Sequence, residues 1–335
     1  MIYITLDFEL FLGFNSGSVQ RSLVEPMNHF ISILNNYGVK ATLFVDAAYL
    51  YMLRKLKDSN AKLKEDEYIV TKLISDLSDK GHDIQLHIHP QWFFSSYSNN
   101  NWQLDFSHYK LSDMSQDELC YFFSSSKKIL QDVASKKICG FRAGGYTLST
   151  LNNYSTFMYK NGIYIDSSVL TGAYKKTSAQ YYDYRKAPQK GLYRFSSNVI
   201  EEDTNGQLIE LPITTERLSS FNYMKKKREL ARQYEKSTPW GDGVGIGQSV
   251  NPIVSVVRKL ARLPYPCVLP ASIDGVMSEY LIDLYNRNAI ANNVFTIIGH
   301  PKSFSPTSLQ NMEKFIKYSI EIDEYGVVSC LAIKN

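Results

Sequence analysis

Two carboxylates stand close together at the end of the first apolar stretch of the chain. Residues 1–13 read MIYITLDFELFLG, in which apolar and polar side chains alternate up to Asp7 and Glu9. Because successive side chains of a strand point to opposite faces, Asp7 and Glu9 share one face near the strand's carboxyl end. Paired carboxylates beside an apolar face cost free energy unless a cation holds them. The pattern therefore predicts a cationic partner for this pair.

A second stretch offers histidines in the same arrangement. Residues 82–89 read HDIQLHIH, and on a strand His87 and His89 share the face opposite to the apolar side chains. A carboxylate from one strand and histidines from another form a ligand set suited to zinc or a similar divalent ion. Such an ion would also balance Asp7 and Glu9. The alternative interpretation is that one histidine simply forms a hydrogen bond inside a polar core.

Three further polar residues follow predicted strands. Arg142 ends a strand and precedes two glycines, so it can face a carboxylate or an anionic substrate, or lie on the surface. Asp166 follows the next strand, where it can orient a histidine or cap a turn. His300 follows a late apolar strand and precedes a proline, which makes it a candidate general acid. We expect these groups to meet the carboxylates and histidines at one edge of a sheet.

Apolar strands and amphipathic helices alternate along the chain. Seven or eight strands interleave with helices, and no linker-like change of composition interrupts them. This alternation predicts one α/β domain over residues 1–335, a (β/α) barrel with functional groups at the carboxyl ends of its strands. Residues 171–193 and 221–266 are interpreted as insertions over that face. The predicted elements also include a helix over 148–161 and a final strand over 327–333.

The bulk composition limits the classes of partner. The net charge of +4 is too small to argue for nucleic acid. The four cysteines are scattered without a CxxC pair and lie mostly in apolar runs, as buried thiols in a reducing compartment do. No signal peptide precedes the first strand, and no run of about 18 apolar residues occurs. The expected location is therefore the cytoplasm.

A basic stretch and a glycine-rich stretch lie in the second insertion. Residues 225–236 begin with three lysines and an arginine, and residues 258–262 read RKLAR. The ordinary interpretation is a solvated helix face. The alternative is peripheral contact with anionic membrane lipid or a diphosphate-linked glycan carrier. Residues 240–247 read WGDGVGIG but lack the lysine and the strand–helix setting of a phosphate loop, so they are interpreted as a flexible lid.

Five ordered motifs give the chain a family resemblance. TLDFE, GHDIQLHIHP, FRAGGY, IDSSV and IIGHPKSF resemble the signature motifs of polysaccharide deacetylases with a NodB-type domain, carbohydrate esterase family four. The nearest subgroup is the one found beside glycosyltransferases in bacterial surface-polysaccharide loci. The resemblance implies a distorted (β/α)7-type barrel and one divalent metal ion, usually zinc. It also implies hydrolysis of N-acetyl groups on an amino-sugar glycan or a lipid-linked glycan precursor.

Carried over by position, the resemblance also implies roles for single residues. Asp7 would be the general base and Arg142 its partner. His300 would be the general acid that protonates the leaving amine, with Asp166 tuning that histidine. Glu9 would be the acidic metal ligand.

The metal site is where the chain departs from the family pattern. His87 matches the first histidine ligand, but the second usually falls four residues later, where this chain has Gln91. Either His89 takes over the ligand role, or the site binds metal weakly. The usual Asp-Asp pair is Asp-x-Glu here, which leaves the division of roles between Asp7 and Glu9 open.

Two other classes of function fit the same residues. One is a different amidohydrolase on the same barrel, acting on cyclic imides or ureides. The other is a non-catalytic glycan-binding relative with a degraded metal site, which Gln91 favours. The expected substrate contacts are Trp92, whose ring could stack on a sugar, with Tyr146 and Gly144 of the FRAGGY motif.

Overall fold

A curled sheet of nine strands forms the centre of the molecule. The computed structural model describes residues 1–150, 154–177, 179–245, 266–288 and 293–333. Its strands are β1 (Ile2–Phe8), β2 (Thr42–Asp46), β3 (Asp83–Ile88), β4 (Ser96–Ser98), β5 (Asn101–Gln103), β6 (Gly140–Ala143), β7 (Ile165–Asp166), β8 (Tyr174–Lys176), β9 (Tyr181–Asp183), β10 (Tyr193–Phe195), β11 (Leu208–Glu210), β12 (Thr215–Leu218), β13 (Cys267–Pro270), β14 (Phe295–Gly299) and β15 (Tyr325–Gly326). Its helices are α1 (Glu25–Asn36), α2 (Ala47–Leu56), α3 (Ala61–Asp79), α4 (Gln116–Gln131), α5 (Tyr154–Lys160), α6 (Ser220–Gln233), α7 (Leu281–Asn288), α8 (Pro306–Ser319) and α9 (Cys330–Ile333).

Seven parallel strands form one row in this sheet, and the short strand β15 adds an eighth beside β1. The spatial order of the seven is β11, β7, β6, β3, β2, β1 and β14, and the antiparallel strand β10 extends the β11 edge. Between β11 and β14 the sheet curls together through hydrogen bonds from Thr214 N to Thr296 O (3.0 Å) and from Ile273 N to Ile298 O (2.9 Å). The predicted α/β class and the distorted (β/α)7-type barrel are confirmed.

The register of the parallel strands aligns polar residues across the sheet. Strand β1 pairs with β2 on one side and β14 on the other, and all seven of its residues are buried, as central parallel strands are. Asp46 of β2 lies opposite His87 of β3, which lies opposite Arg142 of β6. The polar side chains of β1 therefore lie on the same side of the sheet as these buried polar residues and do not face solvent.

The last predicted strand is wrong. Instead of a strand over 327–333, the chain forms the short strand β15 and then helix α9. The backbone leaves the sheet because side chains accept its hydrogen bonds: Val328 N donates to Thr42 Oγ1 at 3.0 Å, and Ser329 N donates to Asp83 Oδ2 at 2.9 Å. The predicted helix over 148–161 is shorter, since a 3-10 turn over Gly144–Thr150 precedes α5.

The two predicted insertions contain regular structure. The hairpin β8–β9 lies within residues 171–193, and α6 lies in the chain between the antiparallel partners β12 and β13, which flank the second insertion. Residues 246–265, which include the RKLAR stretch and the end of the glycine-rich stretch, lie outside the described residues. Among the described helices, none has the length and apolar character needed to cross a membrane. That residues 1–335 form a single domain stays a prediction.

Candidate active site

A buried ion pair joins Arg142 of β6 to Asp7 of β1. Arg142 is fully buried, and its Nη1 donates to Asp7 Oδ1 at 2.7 Å. Its remaining donors reach Thr5 Oγ1, Ser167 Oγ and Ser167 O, each at 2.8 Å. Burial alone would raise the pKa of the Asp7 carboxyl, but the Arg142 guanidinium, with smaller effects of nearby histidines, holds it well below its usual range. Asp7 is therefore an ionised carboxylate in a fixed orientation.

A second cluster lies beside this pair and comprises Glu9, His87 and His89. All three side chains are buried, and one ligand atom from each lies within 4.8 Å of the others. Glu9 Oε2 is 2.6 Å from His89 Nε2 and 3.4 Å from His87 Nε2. Among the described residues, neither Glu9 Oε2 nor His87 Nε2 has a hydrogen-bond partner. The Nε2 atoms of His87 and His89 thus both face the same carboxylate oxygen of Glu9.

The backbone of Arg142 fixes the orientation of the His87 ring. Its Nδ1 lies 2.7 Å from the backbone carbonyl oxygen of Arg142. A carbonyl oxygen can only accept, so Nδ1 carries a hydrogen, and Nε2 is the ring nitrogen that faces Glu9. This is the arrangement that fixes the tautomer of a metal-binding histidine.

The donor set fits a divalent metal ion. One carboxylate oxygen and two imidazole nitrogens are typical ligands of catalytic zinc, which leaves a further position open. Two ligand atoms that each lie about 2.1 Å from a tetrahedral zinc are separated by about 3.4 Å. The separation of 3.4 Å between Glu9 Oε2 and His87 Nε2 agrees with this value, whereas the 2.6 Å between Glu9 Oε2 and His89 Nε2 is shorter, so these two atoms would have to move apart to hold an ion. The unpartnered buried atoms of Glu9 and His87 would be satisfied by such an ion.

Gln91 lies outside this set of ligand atoms. It is fully buried, and neither atom of its side-chain amide has a hydrogen-bond partner in the described part of the chain. The His89 side chain contacts Glu9 instead. Its backbone N donates to Asp46 Oδ1 at 3.2 Å, which fixes the start of the turn after β3.

Lys302 is a site residue that the sequence reasoning missed. Its Nζ donates to Glu9 Oε1 at 2.7 Å and to Leu10 O at 2.8 Å. Burial alone would raise the pKa of Glu9, but Lys302 and the two histidines hold it well below its usual range. The two oxygens of Glu9 are thus divided, with Oε1 on the lysine and Oε2 on the histidines. The sequence feature that could have identified Lys302 is its position two residues after His300.

His300 lies on the other side of Asp7 and is oriented by Asp274. The His300 Nδ1 lies 2.6 Å from Asp274 Oδ2, and the His300 backbone N donates to Asp274 Oδ1 at 2.9 Å. Its Nε2 is 3.6 Å from Asp7 Oδ2 and 3.9 Å from Glu9 Oε1. Burial alone would lower the pKa of His300, but the carboxylates of Asp274 and Asp7 raise it to about 10. The imidazole is therefore a protonated acid aimed at the carboxylates.

The expected partner of His300, Asp166, binds elsewhere, which corrects the prediction that it tunes this histidine. Asp166 Oδ1 accepts from Ser168 Oγ at 2.7 Å, and Asp166 lies opposite Glu210 on the neighbouring strand. Burial raises the pKa of both carboxyls. Asp274 was missed although it directly follows an apolar run, as the other strand-end residues do.

Trp92 does not reach the substrate side of the site, which corrects the expectation that it stacks on a sugar. It is fully buried, and its Nε1 donates to Asp46 Oδ2 at 2.7 Å. Its ring packs against those of Tyr49 (4.8 Å between centroids) and Trp102 (5.2 Å). Trp92 therefore supports Asp46 and, through it, the backbone of His89.

Gly144 and Tyr146 form a strained turn over the metal-ligand cluster. A Cβ atom on Gly144 would lie 2.5 Å from Ile88 O and 2.7 Å from His89 Nδ1, so only glycine fits there. Tyr146 has φ +61°, a left-handed conformation that is uncommon for a non-glycine residue. The turn brings the Tyr146 ring close enough to Asp7 and Asp274 for both carboxylates to raise the pKa of its hydroxyl, in addition to burial.

Comparisons with known proteins agree with this architecture. Residues 5–161 match the family model described as "Polysaccharide deacetylase". A solved structure titled "putative polysaccharide deacetylase from Mycobacterium smegmatis" is similar over 99% of this chain and 90% of its own, with 15% identity and a TM-score of 0.51. A GH57 branching enzyme from Thermococcus kodakaraensis is similar over 98% of this chain and 70% of its own, with 10% identity and a TM-score of 0.50. At these identities the solved structures show the fold alone. No curated protein matches the chain.

Replacing Arg142 with Met should lower the free energy of unfolding at pH 7 by about 3–5 kcal/mol, because Asp7 would stay buried without its cation. Urea unfolding measures the change. Adding Asp7→Asn removes the uncompensated charge, so the double variant should be more stable than Arg142→Met alone. A double variant no more stable than Arg142→Met would contradict the pairing.

The low pKa of Asp7 also means that the ion pair stabilises the protein above the unfolded pKa of about 3.9, and that this stabilisation is lost as the pH falls.

Proposed function

We propose that this chain, whose residues 5–161 match the polysaccharide deacetylase family model, is a metal-dependent hydrolase that removes N-acetyl groups from an amino-sugar-containing glycan. The observation that carries the proposal is the group of Glu9, His87 and His89, whose buried ligand atoms lie together beside Asp7. The metal would be zinc, held by Glu9 Oε2, His87 Nε2 and His89 Nε2. The chemistry that such an ion supplies when bound is polarisation of a carbonyl and acidification of a water molecule.

Asp7 has the properties of the general base. It is ionised, it is held at Oδ1 by Arg142, and its Oδ2 faces His300. A water molecule that attacks the acetamide carbonyl would pass its proton to Oδ2. Because Arg142 uses its other donors on Thr5 and Ser167, the guanidinium fixes the carboxylate and stays away from the attacking water.

His300 has the properties of the general acid. Amide hydrolysis requires a proton on the departing nitrogen, and a protonated imidazole can donate it. The Nε2 of His300 faces Asp7 and Glu9, and its Nδ1 is held by Asp274. Asp7 and His300 thus flank one point beside the ligand cluster, where base and acid can act on the same amide. His300 and Asp274 lie outside residues 5–161, so their roles rest on this geometry.

His89 also bears on the non-catalytic alternative. That alternative rested on Gln91 in place of the second histidine ligand, and His89 supplies a third ligand atom without it. Tyr146 and Gly144 stay proposed substrate contacts. The surface-polysaccharide subgroup, a lipid-linked substrate, contact of residues 225–236 with anionic lipid and a cytoplasmic location at the membrane surface stay predictions.

The purified protein should bind about one zinc ion per chain and release acetate from an N-acetylhexosamine oligosaccharide. Asp7→Asn should lower kcat by about 10²–10⁴-fold, because it removes the base. His89→Ala should abolish stoichiometric zinc binding, measured by elemental analysis after dialysis. The control His29→Ala removes an exposed histidine of α1 and should keep the zinc.

Three outcomes would contradict this function. One is a protein without stoichiometric zinc, and another is acetate release that Asp7→Asn leaves unchanged. The third is hydrolysis of a cyclic ureide without release of acetate, which would assign the other amidohydrolase class.

Asp274→Asn should move the alkaline limit of activity to lower pH. The Asp274 carboxylate stabilises protonated His300 and raises its pKa, so its loss lowers that pKa and the acid form disappears earlier as pH rises. The pH profile of kcat/KM measures the shift. Asp283→Asn, which changes an exposed aspartate of α7, is the matched control and should leave the profile in place. An alkaline limit unchanged by Asp274→Asn would show that His300 is not the acid.

A further inference from the structure

A cavity of about 540 Å³ lies between the hairpin β8–β9 and the antiparallel pair β12–β13. The hairpin forms one wall and the pair β12–β13 forms the other, with Tyr223 of α6 at one side. Its size is in the range of sites that hold a mono- or disaccharide-sized ligand. Neither the metal ligands nor Asp7 and His300 line it.

Cations dominate the charged residues of the cavity. Of the described residues that line it, four are basic and none is an aspartate or glutamate. These are Lys175, Lys176, Arg185 and Arg217. Arg185 is paired with Asp183, which lies outside the lining, at 2.6 Å. Lys176 and Arg217 are exposed, and neither forms an ion pair with a described carboxylate. The cavity therefore has an excess of positive charge that a bound anion would balance.

Aromatic rings stand beside these cations. Tyr174 lies under the Arg185 guanidinium, 4.3 Å from the ring centroid, and is 46% exposed. Tyr223 and Tyr182 line the cavity as well. Rings next to basic groups suit a ligand with a flat, weakly polar face and an attached anion. A sugar that carries a phosphate or a carboxylate has both features.

The inner end of the cavity contacts the turn over the metal-ligand cluster. The rings of Tyr182 and Tyr146 meet edge to face, 5.9 Å apart. In the same hairpin, Gln180 Nε2 donates to Gly145 O at 2.6 Å. On the other wall, β13 runs on to Asp274, the residue that holds His300. A ligand in the cavity would therefore lie against elements that shape the candidate active site.

We propose that this cavity is a subsite for an anionic group, a phosphate or a carboxylate carried on a sugar, of the same glycan whose N-acetyl group reaches the metal site. This inference rests on the proposed function for the link to catalysis and on the cavity alone for binding. Two unpaired cations at an aromatic-lined cleft favour an anion through charge-assisted hydrogen bonds. The glycan is then acidic, or it carries a phosphate at its reducing end.

Direct titration tests the binding. Glucose 1-phosphate, glucuronate and neutral glucose are titrated into the zinc-loaded protein by calorimetry at low salt. We expect the anionic sugars to bind and glucose to bind at least about tenfold more weakly. Lys176→Gln with Arg217→Gln should weaken binding of the anionic sugars by about tenfold or more. The control, Lys55→Gln with Lys64→Gln, removes the same charge from exposed positions of α2 and α3 and should change Kd by less than about twofold.

The two anionic probes distinguish the source of the anion. Tighter binding of glucose 1-phosphate assigns a phosphate, and tighter binding of glucuronate assigns an acidic sugar. The single variant Lys176→Glu reverses a charge at an exposed position and gives a second reading if the double variant is unstable. Equal binding of glucose and the anionic sugars, or a Kd that neither Lys176→Glu nor the double variant changes, would overturn the proposal.

Failure of the subsite can be told apart from failure of the proposed function. Asp7→Asn should leave binding of the anionic sugars unchanged, since Asp7 does not line the cavity. On an anionic N-acetylated glycan the double variant should raise KM and leave kcat unchanged, and on a neutral one it should change neither. Acetate release with an unchanged KM on the anionic glycan would remove the subsite and keep the deacetylase. Binding without any acetate release would do the reverse.

Discussion

The buried guanidinium of Arg142 is the group on which the site depends most. It leaves β6 fully buried, holds Asp7 of β1, and reaches Thr5 and Ser167, so it links strands that are far apart in the sequence. An isolated carboxylate in this position would be protonated or would destabilise the fold. Its backbone carbonyl also fixes the tautomer of His87. One residue thus orients both the proposed base and a proposed metal ligand.

The two oxygens of the Glu9 carboxylate likewise have different partners. Glu9 presents one oxygen to Lys302 and the other to the histidines, so that a single carboxylate can neutralise an internal lysine and offer a ligand atom. The lysine limits Glu9 to one oxygen as a ligand. His300 and Asp274 form a separate pair at the next strand end. Carboxylates and cations therefore alternate around the point where an amide would react.

The alternation of apolar stretches predicted the parallel sheet and the strand ends where Asp7 and His300 lie, because strand period and burial are local properties. What the sequence could not give was the choice of partners. Asp166 and Asp274 both follow apolar runs, and only the curling of the sheet decides that Asp274 meets His300. Trp92 was taken for a sugar contact because an aromatic loop residue looks the same in sequence whether it is exposed or buried against Tyr49.

The claim at the centre of this account is that Glu9, His87 and His89 hold one catalytic metal ion. Diffraction from crystals grown with zinc, measured on both sides of the zinc absorption edge, tests it most directly. We expect one anomalous peak within about 2.0–2.2 Å of Glu9 Oε2, His87 Nε2 and His89 Nε2. A zinc-saturated crystal with no peak there, or with a peak that His89 does not ligate, would contradict it.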